Sequence, residues 1–244
     1  MGALAEGPWE NECERVTLKG SDGTAVEGIH ARPTGMPRAG LVLVPDLMGV
    51  RPLFDDLCRR IASHGLAVWA VEPFARCPDR AGLDVEGRMA RVRDLVDEHQ
   101  LGDLERAADR LVVEDDVAEV SVMGFCMGGM YALKAAATGR FDRSVGFYGM
   151  LRVPEQWQGP GQRDALDTAA DACPTLAVLG GRDPWVPPEH VEQLRAVWAG
   201  RSDCEVVVYE EAEHGFVHDP DRPAHRADDA ADAWRRALAF LGGS

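Results

Sequence analysis

The chain has 244 residues, 45% of them hydrophobic and 27% charged, a balance that suits one large α/β domain and excludes a fully disordered polymer. Its 26 basic and 41 acidic residues leave a formal charge of −15 with no basic patch, which argues against nucleic-acid binding. No apolar run nears the roughly 18 residues of a membrane span, and the opening MGALAEGPWENECE lacks the basic and apolar regions of a signal peptide. The expectation is a soluble cytoplasmic protein forming a single domain over residues 1–244, a monomer with no membrane partner.

The elements follow in order. Residues 14–18 and 24–31 alternate as strands about the turn Ser21-Asp22-Gly23, an antiparallel hairpin. After a loop at 33–37, Gly40-Leu-Val-Leu-Val-Pro45 is a continuous apolar run, as in a strand covered on both faces. A helix is expected over 53–63, a strand over 66–71, helices over 84–98 and 104–111, and a strand over 117–123. An Ala-rich helix over 130–138 follows, then strands over 144–148 and 175–179, a helix over 188–198, a strand over 204–209 and a last helix over 226–241. Strands alternating with helices after a hairpin predict an α/β fold with a mostly parallel central sheet and helices on both faces. The Gly-, Gln- and Pro-containing stretch 153–172 reads as an excursion beside the carboxyl ends of the strands, where ligands bind in such sheets.

Six cysteines, Cys13, Cys58, Cys77, Cys126, Cys173 and Cys204, occur without C-x-x-C or zinc spacing. In a long chain without an export signal they are expected as reduced thiols, and no metal or cofactor is expected. H-E-x-x-H is absent, which sets zinc hydrolase chemistry aside. A redox-sensing thiol would lack a resolving cysteine near in sequence.

One cysteine stands apart. Gly124-Phe-Cys126-Met-Gly128-Gly129 follows a strand and precedes a helix. Small residues around a central nucleophile permit the tight strand-to-helix turn of a nucleophile elbow, and the following helix N-terminus favours a thiolate. Such hydrolases order their partners nucleophile, acid, histidine. Downstream, Gly180-Gly-Arg-Asp183-Pro-Trp185 follows one strand and Glu210-Glu-Ala-Glu-His214-Gly follows the next. Alone, Asp183 would be an Asx turn before Pro184 and His214 a solvated loop histidine. In order, each just past a strand, the three make a candidate Cys126–His214–Asp183 triad.

These motifs, with the early V-P-D-L-M-G-V segment at residues 44–50, together resemble dienelactone hydrolase (carboxymethylenebutenolidase), an α/β-hydrolase, over nearly the whole chain. The resemblance implies opening of enol lactones or related esters through an acyl thioester, with Cys126 as nucleophile, His214 as base and Asp183 as orienter. It implies an oxyanion hole from the N–H groups of Leu47 and Met127. The family's thiol-activating glutamate corresponds to Asp46, one methylene shorter, and a carboxylate-binding arginine after the histidine corresponds to His218. Arg76, Arg88 and Arg91 are further candidates for the substrate carboxylate, and Met48, Phe74, Trp185 and Phe216 adjoin the motif loops as pocket walls. The expected partner is a small ester or lactone. A broad carboxylesterase or thioesterase, and a hydrolase fold that binds ligand without turnover, are the competing readings.

Overall fold

The structure, a computed structural model, describes residues 4–242. The N-terminal hairpin pairs β1 (Asn11–Lys19) with β2 (Ala25–Pro33), longer than its alternation suggested because both strands stay extended to the end of the ladder. Next come β3 (Ala39–Val44), α1 (Pro52–Ala62) and β4 (Leu66–Val71). The eight strands form one sheet in the order β1-β2-β4-β3-β5-β6-β7-β8, completed by β5 (Val120–Phe125), β6 (Ser144–Phe147), β7 (Thr175–Gly180) and β8 (Cys204–Tyr209). Pairing is antiparallel as far as β2–β4 and parallel from β4 onward. This is the mostly parallel sheet flanked by helices that the alternation predicts. Strands β4, β5, β6 and β7 are buried at every position, which explains their uninterrupted apolar runs.

The helices are α2 (Val85–Arg91), α3 (Asp97–Glu114), α4 (Met127–Ala135), α5 (Pro188–Val197) and α6 (Ala227–Phe240). Two expectations are corrected. The helix foreseen over 84–98 ends at Arg91, continues as a short 3-10 turn at Val92–Asp94 and becomes extended at Leu95 and Val96 before α3 begins. Gln162 Nε2 donates to the carbonyls of Val92 and Leu95 at 2.7 and 2.9 Å. A distant side chain thus satisfies the acceptors a broken helix leaves open. The helix foreseen over 130–138 starts earlier, directly after Cys126, because the elbow turns without an intervening loop.

The helices cover a floor of large side chains. Phe125 stacks on Phe147 at 4.9 Å, and Trp234 of α6 lies 5.2 Å from Phe147. Each such ring taken from water contributes about 1.5–3 kcal/mol. Lys134 of α4 is buried against Asp97 of α3 at 2.9 Å, tying the two helices. No disulfide joins the six cysteines. Among the described residues no helix is long and apolar enough to cross a membrane.

Candidate active site

Cys126 sits between β5 and α4 with φ 58° and ψ −121°. A non-glycine residue pays a steric cost in that region. The surroundings hold it there: its N–H donates to Phe147 O at 3.0 Å, and its carbonyl accepts from Met130 N–H at 3.0 Å. The flanking glycines are required by contact. A Cβ on Gly124 would stand 2.0 Å from Gly128 O, and one on Gly128 would stand 2.2 Å from Val44 O. The second approach presses the start of α4 onto the end of β3, so the loop carrying Leu47 lies beside the N-terminus of α4.

Asp183 lies three residues beyond β7 and His214 five beyond β8. Asp183 Oδ2 and His214 Nδ1 are 2.8 Å apart. Asp183 Oδ1 meanwhile accepts from Trp185 N–H at 2.8 Å, so the Asx turn and the histidine contact coexist, one oxygen each. His214 also interacts with the side chain of Cys126. Burial disfavours charge on His214. Its interactions with Cys126 and with the Asp183 carboxylate outweigh it and push its pKa up to about 10. A sulfur and an imidazolium so paired can deliver a nucleophile and a proton at one carbonyl. Cys126 keeps 8% of its surface exposed, so the pair reaches solvent.

The V-P-D-L-M-G-V segment closes a turn in which Gly49 N–H donates to Asp46 O and Met48 N–H to Asp46 Oδ1, both at 2.9 Å. The N–H of Leu47 takes part in neither bond. Met127, first residue of α4, has an N–H with no intrahelical acceptor. The two can serve as an oxyanion hole.

Several expected site residues are engaged elsewhere. Asp46 does not touch the thiol among the described hydrogen bonds. Arg51 grips it with both terminal nitrogens at 2.6 and 2.8 Å, and His218 Nε2 lies 2.8 Å from its Oδ2. Burial works to raise its pKa, but His218 and Arg51 hold it well below the usual carboxylate range. His218 is 1% exposed and uses its second nitrogen on Tyr148 Oη at 2.5 Å, so it is not an open anion site. Arg76 binds Asp22 and Asp103. Arg88 lies 3.5 Å from buried Glu72 and over the ring of Phe74, which is itself fully buried. Arg91 pairs with Asp79 and Asp94 at the surface. The acidic composition explains these corrections: with carboxylates in excess, most arginines find structural partners. Phe216 is wholly buried against Tyr148 and Tyr209. Met48 and Trp185 remain half-buried. Trp185 stacks on Trp157 of the 153–172 excursion at 5.3 Å and stands 6.4 Å from His214.

Three residues at this site escaped the sequence reading. Tyr148 follows β6, fully buried at φ 38°, its ring 5.2 Å from and edge-on to that of His214. Its position at the carboxyl end of a buried parallel strand was the available signal. Arg51 opens α1 and gave none. Arg222 lies against Gly215, where an added Cβ would meet Cζ at 2.7 Å. It has no ion-pair partner among the described residues, and its positive charge is felt at the Tyr148 phenol. Among the described residues no cluster of His, Cys, Asp or Glu is arranged to hold a metal.

Residues 26–244 match the model of the family described as "Dienelactone hydrolase family". A Yersinia pestis protein named "Putative carboxymethylenebutenolidase" is 32% identical, covering 93% of this chain and 86% of its own. The "Carboxymethylenebutenolidase" of Rhodococcus opacus is 30% identical, over 82% and 79%. The crystal structure titled "Putative Dienelactone Hydrolase" from Klebsiella pneumoniae superposes with a TM-score of 0.86 at 27% identity, covering 96% of this chain and 99% of that one.

Proposed function

This chain belongs to the dienelactone hydrolase family of carboxylic ester hydrolases, and from that premise we propose that it opens an enol lactone or related acidic ester through a Cys126–His214–Asp183 triad. The observation that carries the reading is Cys126 held at φ 58° ahead of α4 while His214, bound to Asp183 at 2.8 Å, interacts with the Cys126 side chain.

The thiolate of Cys126 adds to the carbonyl carbon. The N–H groups of Leu47 and Met127 receive the oxyanion, each contributing roughly 3 kcal/mol in comparable sites. Collapse breaks the ester C–O bond, His214 protonates the departing oxygen, and an acyl thioester remains. Water then adds to the thioester, the C–S bond breaks, and a carboxylate leaves. Asp183 keeps the His214 tautomer in register. An enolate leaving group needs little proton assistance, which suits a thiolate nucleophile. Arg222 is the arginine we assign to a carboxylate on the substrate: it lies beside Gly215 of the His214 loop and, among the described residues, has no carboxylate partner.

The test compares an enol lactone bearing a carboxylate with neutral p-nitrophenyl esters. Cys126→Ala is expected to lower turnover of both by roughly 10⁴-fold or more. Arg222→Gln is expected to raise KM for the acidic lactone by about tenfold and leave the neutral ester within about twofold. Retained turnover in Cys126→Ala removes the thiol from the reaction. Equal effects of Arg222→Gln on both substrates favour a broad carboxylesterase, a reading supported by the engagement of Arg76, Arg88, Arg91 and His218 with the protein itself.

A further inference from the structure

We infer that Glu72 is a positioning residue of this site: its buried carboxylate sets the turn at 46–50 so that the Leu47 N–H stays free for the oxyanion. This role rests on the acyl-thioester reading above and names what holds one of its two oxyanion donors.

The sheet puts Glu72 beside the turn. Glu72 directly follows β4, the turn follows β3, and these strands are parallel neighbours with Leu43 opposite Ala70. Residues just past the two carboxyl ends therefore meet. Glu72 is 3% exposed, and its N–H donates to Glu27 O of β2 at 2.9 Å. From that anchor its Oε2 accepts from Val50 N–H at 2.8 Å and its Oε1 from Phe74 N–H at 3.0 Å. Gly49, at φ 67°, packs against the same carboxylate. A Cβ added there would stand 2.4 Å from Oε2 and 2.7 Å from Oε1.

The backbone of the turn is tied in consecutive steps. Met48 N–H goes to Asp46 Oδ1, Gly49 N–H to Asp46 O and Val50 N–H to Glu72. At the other end Gly128 of α4 abuts the carbonyls of Val44 and Pro45, where an added Cβ would be 2.2 and 2.3 Å away. The segment is thus pinned at its start by α4 and at its end by Glu72. Leu47 N–H, between the two pins, has no acceptor among the described residues. A donor stabilises developing charge best when it is fixed in advance, and a misplacement of about 1 Å can cost about 100-fold.

The residue type fits the task. Val50 and Phe74 each present a donor, and a carboxylate accepts at both oxygens, whereas an amide would turn its NH2 toward one of them. A buried carboxylate also needs a cation. Arg88 supplies it, with Nη1 3.5 Å from Oε1. Arg88 is itself 8% exposed, lies over the ring of Phe74 at 5.3 Å and donates from Nη2 to Arg80 O at 3.1 Å. Glu72 acts through the backbone of the turn and not on the substrate.

The experiment compares two reactions of Cys126 in wild-type protein, Glu72→Gln and Gly49→Ala. One is hydrolysis of p-nitrophenyl butyrate, in which acylation and deacylation both pass through an oxyanion. The other is methylthiolation by methyl methanethiosulfonate, followed by the mass of the peptide that carries Cys126. There the thiolate attacks the methylthio sulfur, the S–S bond breaks and methanesulfinate leaves, with no carbonyl involved. Glu72→Gln removes one acceptor; Gly49→Ala keeps Glu72 and pushes its carboxylate off the turn. Each variant is expected to lower kcat about 100-fold. KM should stay within about threefold and the methylthiolation rate within about twofold. A methylthiolation rate that changes in step with hydrolysis marks Glu72 as a prop of the whole site and overturns the inference. Unchanged hydrolysis in either variant overturns it too. Turnover retained in Cys126→Ala instead refutes the acyl-thioester reading, whatever the two variants do, and the role of Glu72 falls with it.

Discussion

His30–Asp115 and His214–Asp183 are nearly the same object at two places in the molecule. The nitrogen–oxygen distances are 2.9 and 2.8 Å, and both carboxylate side chains are fully buried. His30 lies within β2, packs 5.7 Å from Trp69, and shares Asp115 with Arg32 at 3.8 Å. His214 lies in a loop beyond β8 and interacts with the side chain of Cys126. The comparison teaches that a buried histidine–aspartate pair is a structural part. Its chemistry is decided by what stands beyond the imidazole. At His214 that neighbour is the proposed nucleophile on a strained turn; at His30 it is tryptophan.

The comparison can be broken most sharply by activity. His214→Ala should reduce ester turnover by roughly 10³- to 10⁴-fold, whereas His30→Ala should leave kcat/KM within about threefold because no reacting atom is in its reach. Similar losses in both would erase the distinction. Stability is where the His30 pair should answer. Removing the imidazole strands a buried Asp115, at a cost of about 2–3 kcal/mol, readable as a lower urea midpoint with unchanged slope. A midpoint equal to the wild type would mean that Arg32 alone satisfies the carboxylate.

A third difference lies in pH. His214 has its pKa raised from 6.5 to about 10 in the folded protein. A raised folded value stabilises the fold in full below the unfolded value, here 6.5, and that contribution disappears as pH rises through about 10. The wild-type melting temperature should therefore fall more steeply from pH 6.5 to about 10 than that of His214→Ala. His30→Ala should keep the wild-type slope. Parallel curves for wild type and His214→Ala would show that the imidazolium carries no such linkage.

The strands were legible because β3 to β7 are apolar runs bounded by loops, a pattern set by burial on both faces. Helix ends were less so. The break between α2 and α3 depends on Gln162, about 70 residues away from Val92, and no local window contains that bond. The candidate triad was readable because each member follows a strand and the chain order is informative. The cations were not: Arg76, Arg88 and Arg91 look available in sequence and are spoken for in space by Asp103, Glu72 and Asp79.

Local chemistry thus specified the alternating elements, the glycines that admit a sharp turn, and the order of cysteine, aspartate and histidine, because each depends on neighbours within a few residues. Partnership among side chains was settled only by packing. That Asp46 turns to Arg51 and His218, that Tyr148 joins them, and that Arg222 lies against Gly215 beside His214 are outcomes of distances between loops. Those distances exist only once the sheet has brought strands far apart in the chain side by side.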